Sequence, residues 1–134
     1  MKLFTKEQYD QLIKNGSPQH SGKDHDPVVK LFTPDADCTW LITEIVDEDR
    51  AFGLCDLGHG FPELGYLSIS EIANLRGHLG LPAERDLFFE AKYPISVYTE
   101  AALYNQCITL NGIELKKAEL RLQRKPEPFQ LRPV

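Results

Sequence analysis

The sequence predicts a single α+β domain (residues 1–134), built on an antiparallel β-meander sheet of four to six strands with two or three short helices mainly on one face. Between Val28 and Ile72, short apolar segments alternate with turn residues, as consecutive antiparallel strands do. Helix-start signals of the capping-box type occur before this region and at its end. A chain of 134 residues is long enough for one domain with a modest core.

Four strands are predicted inside the meander, each bounded by turn residues. Alternation in the second strand assigns Trp40, Ile42 and Val46 to one face of the sheet. Leu41 and Ile45 then lie on the other face, so both faces of this strand are partly buried. The predicted strands are Val28–Phe32, Cys38–Val46, Ala51–Leu57 and Leu64–Ser68, with a further strand at Asp86–Ala91.

The first helix is predicted near the N-terminus. Thr5 and Gln8 have the spacing of a capping box, in which each side chain accepts a hydrogen bond from the other residue's amide. Tyr9, Leu12 and Ile13 follow at the spacing of one helix face. The polar residues 17–27 then form a loop.

Two more helices and a hairpin are predicted further along. Ser68–Glu71 form a second capping box, and a helix is expected at Ser96–Asn105. The Asn111-Gly112 pair joins Ile108–Leu110 to Ile113–Leu115 and predicts a hairpin, because Asn-Gly favours a type I′ turn. The expected core residues are Trp40, Ile42, Phe52, Leu54, Leu67, Ile72, Leu75 and Phe88.

The net charge of −5 is unevenly distributed. Residues 1–113 carry nine Lys and Arg against seventeen Asp and Glu, whereas residues 114–134 carry six against three. We therefore expect an acidic body and a basic C-terminal arm (residues 114–134) that is extended. Direct binding of nucleic acid by the body is disfavoured, because lysine and arginine contacts to phosphates supply most of that affinity.

The composition favours a cytoplasmic protein. No apolar stretch approaches the roughly 20 residues of a membrane-spanning helix, and the N-terminus does not have the pattern of a signal peptide. Cys38, Cys55 and Cys107 are odd in number and far apart, which favours core thiols in a reducing compartment over disulfides.

Three segments carry a resemblance to a known family: VVKLFTPDADCTWLITE, AFGLCDLGHGFPELGYLSISEI and GLPAERDLFF. On these segments, over about residues 3–105, the chain resembles the bacterial domain-of-unknown-function family numbered 2958. The resemblance implies an accessory role in the bacterial cytoplasm, since members are often encoded on plasmids and other mobile elements among replication, transfer and antirestriction genes. It implies no activity, no catalytic residue and no cofactor.

Three carboxylates of the meander are candidates for acid–base or metal chemistry: Glu44, Asp56 and Glu63. Uninterrupted pairing of the second and third strands would point Glu44 and Asp56 to opposite faces of the sheet, and only a one-residue bulge would reunite them. Asp56 is alternatively a turn-capping residue that accepts backbone amides.

The histidines, glycines and cysteines give weaker signals. His20, His25 and His59 match no zinc-ligand spacing, so no metal is assigned. The Gly58–Gly60 segment is too short for a phosphate-binding loop and favours a turn with positive φ. Cys55 has no neighbouring base, and we interpret it as a core thiol.

Charged surfaces are the stronger candidates for partner binding. Two acidic turns flank the second strand and are expected at its opposite ends. Carboxylates spaced in this way can imitate a phosphate backbone, although most acidic loops are simply solvated. The candidates are Asp35, Asp37, Asp47, Glu48 and Asp49 in the turns and Lys116, Lys117, Arg121 and Arg124 in the basic arm.

Three functions follow as hypotheses. The leading one is a non-enzymatic accessory protein of a mobile element that binds a DNA-processing or defence protein, including an antirestriction or immune-inhibitor role. The second is a small metal-assisted hydrolase that uses the three meander carboxylates. The third is a weak DNA-binding factor that uses the basic arm.

Overall fold

The computed structural model of the protein describes residues 2–125, which form a five-stranded antiparallel sheet and four helices. The strand order across the sheet is β4-β3-β2-β1-β5. This architecture confirms the predicted α+β class. In chain order the elements are α1 (Lys6–Asn15), β1 (Val29–Phe32), β2 (Thr39–Ile45), β3 (Arg50–Asp56), β4 (Glu63–Ser68), α2 (Ile69–Asn74), β5 (Glu84–Arg85), α3 (Ile95–Asn105) and α4 (Gly112–Gln123).

Helices cover both faces of the sheet. α1 and α2 pack on the face that carries Trp40, where Leu12 is fully buried. α3 and α4 pack on the other face, where Tyr98 joins Leu41 and Leu54 in a second core. The helices are therefore divided two and two, whereas the sequence placed them mainly on one face.

A β-bulge in β2 resets the alternation of its side chains. The pairing of β2 with β3 shifts by one residue between Ile42 and Glu44, which leaves Thr43 as the extra residue. Ile45 consequently joins Ile42 in the same core. The prediction that Ile45 shares a face with Leu41 is wrong, because hydrophobic alternation carries no signal for a bulge.

Gly53 allows β3 to approach β2 closely at the bulge. A Cβ atom on Gly53 would lie 2.2 Å from the Leu41 carbonyl oxygen, which no real side chain tolerates. α1 ends against the same part of β2, where the Asn15 side chain donates a hydrogen bond to the Thr43 carbonyl at 2.9 Å. The bulge is thus fixed from both neighbouring elements.

Capping signals in the sequence locate two helix starts. Thr5 and Gln8 form the predicted capping box, with both hydrogen bonds present. The Ser68 hydroxyl accepts a hydrogen bond from the Glu71 amide at 3.2 Å and starts α2. Both starts agree with the prediction because a capping signal needs only local residues.

Two predicted core residues lie at the surface. Leu75 is 36% exposed and Phe88 is 93% exposed, while Leu67 is partly buried. Leu75 follows the end of α2, and Phe88 lies in a turn rather than in a strand. The other predicted core residues are buried: Trp40, Ile42, Phe52, Leu54 and Ile72.

The predicted strand at Asp86–Ala91 does not form. The strand in this region, β5, ends at Arg85, and the Asp86 carboxylate accepts a hydrogen bond from the Phe88 amide at 2.9 Å. An aspartate that bonds an amide two residues ahead forms a turn. Lys30 holds the same carboxylate at 3.0 Å, so Asp86 ends the strand.

A helix replaces the predicted hairpin after residue 107. The Asn111 side chain accepts hydrogen bonds from the Ile113 and Glu114 amides and caps α4. The described part of the basic arm is therefore helical to Gln123 rather than extended, and residues 126–134 lie outside the described residues. No helix within residues 2–125 combines the length and apolar character needed to cross a membrane.

Candidate functional site

The three carboxylates considered for catalysis do not converge. Because of the bulge, Glu44 shares a sheet face with Asp56, so the prediction that they point to opposite faces is wrong. They lie at opposite ends of β2, however, since Asp56 pairs with Thr39, about 16 Å along the strand from Glu44. Glu63 pairs with Cys55 and points to the other face. The carboxylates therefore share no pocket.

Asp56 has a structural role. Its buried carboxylate accepts hydrogen bonds from the Gly58 amide and the Ile108 amide, both at 2.9 Å. The first bond closes the turn after β3, in which Gly58 and Gly60 have positive φ. The second fixes the segment between α3 and α4. The interpretation of Asp56 as a turn-capping residue is confirmed.

Glu44 anchors the loop after α1. It is 1% exposed, and its carboxylate accepts hydrogen bonds from the Ser21 hydroxyl at 3.2 Å and the Gly22 amide at 3.4 Å. His25 Nε2 lies 3.8 Å from the same carboxylate. Because the loop after α1 encloses the Glu44 carboxylate, Glu44 holds this loop on the sheet and does not face a substrate.

The described part of the chain, residues 2–125, contains neither a metal-binding cluster nor an activated Cys55 thiol. No three His, Cys, Asp or Glu side chains of residues 2–125 are arranged to hold a metal ion. Burial raises the pKa of the Cys55 thiol to about 11, against a weaker opposing hydrogen bond to Trp40. Cys55 is therefore almost entirely protonated near neutral pH. Cys107 is exposed, so its prediction as a core thiol is wrong.

The two acidic turns lie at opposite ends of β2, as the sequence predicts, and several of their carboxylates stabilise the fold. Asp35 accepts hydrogen bonds from the Leu79 and Leu81 amides at 2.6 and 3.2 Å. Asp47 accepts the amides of its own turn. Of the five carboxylates of these turns, only Asp35 is partly buried, and the other four are exposed.

Asp49 joins the second acidic turn to the start of α2. It accepts hydrogen bonds from the Ser68 hydroxyl at 2.7 Å and from the Ser70 amide at 2.7 Å. These bonds place the β2–β3 turn directly beside the end of β4. Glu48 is exposed in the same turn.

An apolar cleft lies beside β4, the strand at one edge of the sheet. A depression of about 320 Å³ adjoins one of about 290 Å³, between the β3–β4 loop and α2. Phe61 is 79% exposed and Leu57 is 50% exposed, so two large apolar side chains of one surface face solvent. This β4 cleft is lined by Cys55, Leu57, Phe61, Gly65, Leu67 and Leu75.

Gly65 leaves a gap in the middle of the β4 cleft. It lies between Glu63 and Leu67 on one face of β4, and it pairs with Gly53 of β3. No heavy atom comes within 4 Å of the position that a Cβ on Gly65 would occupy. The cleft therefore has unfilled space the size of a side chain next to the sheet edge.

Carboxylates border the β4 cleft at both ends. Glu63 and Glu71 are exposed beside it, and Asp37 packs against Gly58 in the loop that forms one end. The second acidic turn lies at the other end. Arg50 directly follows this turn, and its Nε lies 3.2 Å from the Asp47 carboxylate, so the two form an ion pair. The surface is thus apolar in the centre and acidic at its rim.

The sequence predicts Leu67 and Leu75 as core residues and Cys55 as a core thiol, but it does not predict that they line a cleft. One signal was present, since Phe61 is an aromatic residue between two chain-breaking residues, Gly60 and Pro62. A large apolar residue in such a loop has no strand neighbours to bury it. The position of α2 beside this loop depends on the folded chain.

Comparison with protein-family models matches residues 3–109 to a family described as "Protein of unknown function (DUF2958)". The chain belongs to this family. The match spans most of the chain and confirms the resemblance seen in the sequence, with nearly the same bounds. Comparisons with curated proteins and with solved structures find no match.

The basic arm of this DUF2958 protein offers few unpaired charges in its described part. It forms α4 from Glu114 to Gln123, and Arg121 also stacks on the Tyr104 ring at 4.0 Å. Arg124 is exposed. The other basic candidates are ion-paired: Lys116 with Glu119 at 2.8 Å, Lys117 with Glu114 at 3.6 Å, and Arg121 with Glu100 at 3.3 Å.

Acid is expected to destabilise this DUF2958 protein. The Ser68 and Ser70 hydroxyls and the Ser70 amide lower the pKa of Asp49. Burial opposes ionisation of Glu100. Hydrogen bonds from Lys125 and Arg121 outweigh this effect and lower the pKa of Glu100 below the ordinary 4.5. As the pH falls, the unfolded chain therefore binds protons before the folded chain does. This part of the stability is complete above about pH 5 and is lost as the pH falls through the depressed folded-state pKa values.

Urea unfolding at pH 7, 5 and 3.5 measures this loss. We expect the free energy of unfolding to change little between pH 7 and pH 5 and to fall clearly at pH 3.5. The fall should be smaller for Glu100→Gln than for the wild type. The matched control is Glu90→Gln, at a side chain that is 84% exposed. A free energy of unfolding that rises between pH 5 and 3.5 would contradict the assignment.

Proposed function

We propose that this DUF2958 protein is a non-enzymatic accessory protein of bacterial plasmids and other mobile elements. It acts in the cytoplasm, where it binds and modulates a DNA-processing or defence protein through the β4 cleft. The observation that carries the proposal is an exposed apolar surface at a sheet edge, framed by carboxylates. An apolar centre with a polar rim is the usual anatomy of a protein–protein interface.

The acidic rim selects the chemistry of the partner. Proteins that handle DNA present lysine and arginine to the phosphates, so their binding surfaces are positively charged. A rim that includes Glu48, Glu63 and Glu71 attracts such a surface and accelerates encounter. Occupation of that surface by the β4 cleft would block DNA, which is the basis of an antirestriction or immune-inhibitor role.

The two alternative functions have less support. The hydrolase hypothesis needs convergent carboxylates, whereas Glu44 and Asp56 lie at opposite ends of β2 and both bind backbone amides. The DNA-binding hypothesis needs free cations, whereas three of the four basic candidates of the arm are ion-paired. The hypothesis that the acidic turns imitate a phosphate backbone is weakened by the internal hydrogen bonds of Asp35 and Asp49.

Affinity capture with matched variants tests the proposal. The full chain is immobilised, exposed to lysate of a plasmid-bearing bacterium at low salt, and the retained proteins are quantified by mass spectrometry. We expect DNA-processing or defence proteins to be retained by the wild type and lost with the triple variant Glu48→Lys, Glu63→Lys, Glu71→Lys. These three side chains are exposed at the rim.

The control carries the same change of charge elsewhere. Glu7, Asp26 and Glu90 are exposed and lie outside the cleft, so Glu7→Lys, Asp26→Lys, Glu90→Lys should retain the same proteins as the wild type. Equal retention by the rim and control variants, or a retained set without DNA-handling proteins, would contradict the proposal.

A further inference from the structure

We infer that the partner binds this DUF2958 protein as an extended basic segment that pairs with the outer edge of β4 and places an apolar side chain over Gly65. This inference rests on the proposed function and specifies the partner's chemistry and its mode of binding. It depends on three features: the direction of the β4 peptide groups, the gap at Gly65, and the charge of the rim.

Hydrogen bonding of β3 fixes which β4 peptide groups face outward. The Val46 amide donates to the Arg50 carbonyl at 2.8 Å, so the peptide groups of Arg50 point toward β2. Arg50 pairs with Ser68, and in an antiparallel pair the inward and outward directions alternate along the strand. The amide and carbonyl of Leu64, four residues earlier, therefore point away from β3.

β4 is placed to accept another strand. It is the last strand in the sheet order, and no strand within residues 2–125 pairs with its outer side. Extended segments commonly bind proteins by adding to an exposed sheet edge, where main-chain bonds give affinity and pockets for alternate side chains give specificity. The outward groups of Leu64 supply such main-chain bonds.

The gap at Gly65 supplies the pocket. Glycine in a strand often marks a place where another chain approaches closely. The Cβ position of Gly65 is open, and the exposed side chains of Leu57 and Phe61 line the same depression. An apolar side chain from an added strand fills this space.

Charge determines which segment binds. Glu63 and Glu71 line the cleft, Glu48 is exposed in the second acidic turn, and Arg50 is ion-paired with Asp47. Lysine or arginine residues two positions before and after the apolar side chain lie on the same face of the added strand and meet these carboxylates. A second copy of this chain would instead bring the same carboxylates together, which disfavours a dimer through β4.

The test uses calorimetry with the full-length chain and a blocked heptapeptide. The peptide has valine at its centre, lysine two positions before and after it, and threonine elsewhere, so that valine and both lysines share one face of an added strand. The wild type should bind this peptide, and a peptide with glutamate in place of lysine should not bind. Gly65→Val, which fills the gap, should weaken binding at least tenfold without lowering the melting temperature. Leu64→Pro should bind about fivefold more weakly than Leu64→Ala, because both remove the side chain and only proline removes the outward amide.

The outcomes separate this inference from the proposed function. If Gly65→Val and Leu64→Pro bind as their controls do, or if the wild type does not bind the lysine peptide, strand addition is wrong. The lysate capture can still succeed in that case, since it requires only the acidic rim. A wild-type dimer in analytical ultracentrifugation that Gly65→Val dissociates would also overturn the inference, because β4 would then bind a second copy.

Discussion

Substitution of Gly53 by alanine is expected to lower the free energy of unfolding by about 3 kcal/mol, near the upper end of typical overpacking costs. The added Cβ would lie 2.2 Å from the Leu41 carbonyl oxygen and 2.9 Å from the Ile42 Cα. These atoms belong to the backbone of the central strands, so they cannot rotate away. The melting temperature should fall by about 10 °C for a domain of this size.

Gly65 provides the matched control for this substitution. It is the cross-strand partner of Gly53, but a Cβ on Gly65 meets no heavy atom within 4 Å. Gly65→Ala should therefore change the free energy of unfolding by less than about 1 kcal/mol, and alanine can even stabilise by restricting the unfolded chain. Thermal unfolding followed by circular dichroism compares the two. Equal losses at both positions would show that the close approach of β2 and β3 is not what requires glycine.

Most of the sheet was predictable from the sequence because each strand carries its own signal. Apolar, β-branched segments between turn residues located β1 to β4 to within about two residues, the accuracy expected at element ends. The bulge at Thr43 was not predictable, because it depends on how β2 fits against β3 and α1. That single extra residue moved Ile45 to the other core and brought Glu44 to the face of Asp56.

The largest error concerns α4, where one short motif has two physical meanings. Asn111-Gly112 can form a type I′ turn, but asparagine is also a strong N-cap. The spacing of Leu115, Ala118 and Leu122 is helical, and these residues pack on α3 in the second core. The periodicity of a longer window was therefore the better signal than the dipeptide.

The candidate site shows a different limit of the sequence. The second acidic turn was identified as a binding candidate, and it lies at the rim of the β4 cleft. The cleft itself was not predictable, because it needs α2 to pack beside the β3–β4 loop. The start of α2 is held instead by Asp49 of the β2–β3 turn, which bonds Ser68 and Ser70, about twenty residues away in sequence. A long-range contact between polar side chains leaves no periodic pattern.

We propose that the acidic rim of the β4 cleft binds a basic surface on a protein partner. Reversal of three rim charges should therefore have a large effect on affinity. Each of Glu48, Glu63 and Glu71 is exposed, so replacement should change the charge of the rim without removing a contact of the core. Loss of attraction together with new like-charge repulsion is expected to weaken binding about hundredfold, or about 2.7 kcal/mol.

The most direct measurement is the dissociation constant of the purified complex between the full chain and the partner recovered by capture, determined by calorimetry at low and at high salt. We predict weakening of about hundredfold for Glu48→Lys, Glu63→Lys, Glu71→Lys, and an effect that shrinks at high salt as charges are screened. The Glu7→Lys, Asp26→Lys, Glu90→Lys control should bind within about threefold of the wild type, a difference of well under 1 kcal/mol. Equal dissociation constants for the rim variant, the control and the wild type would contradict the account.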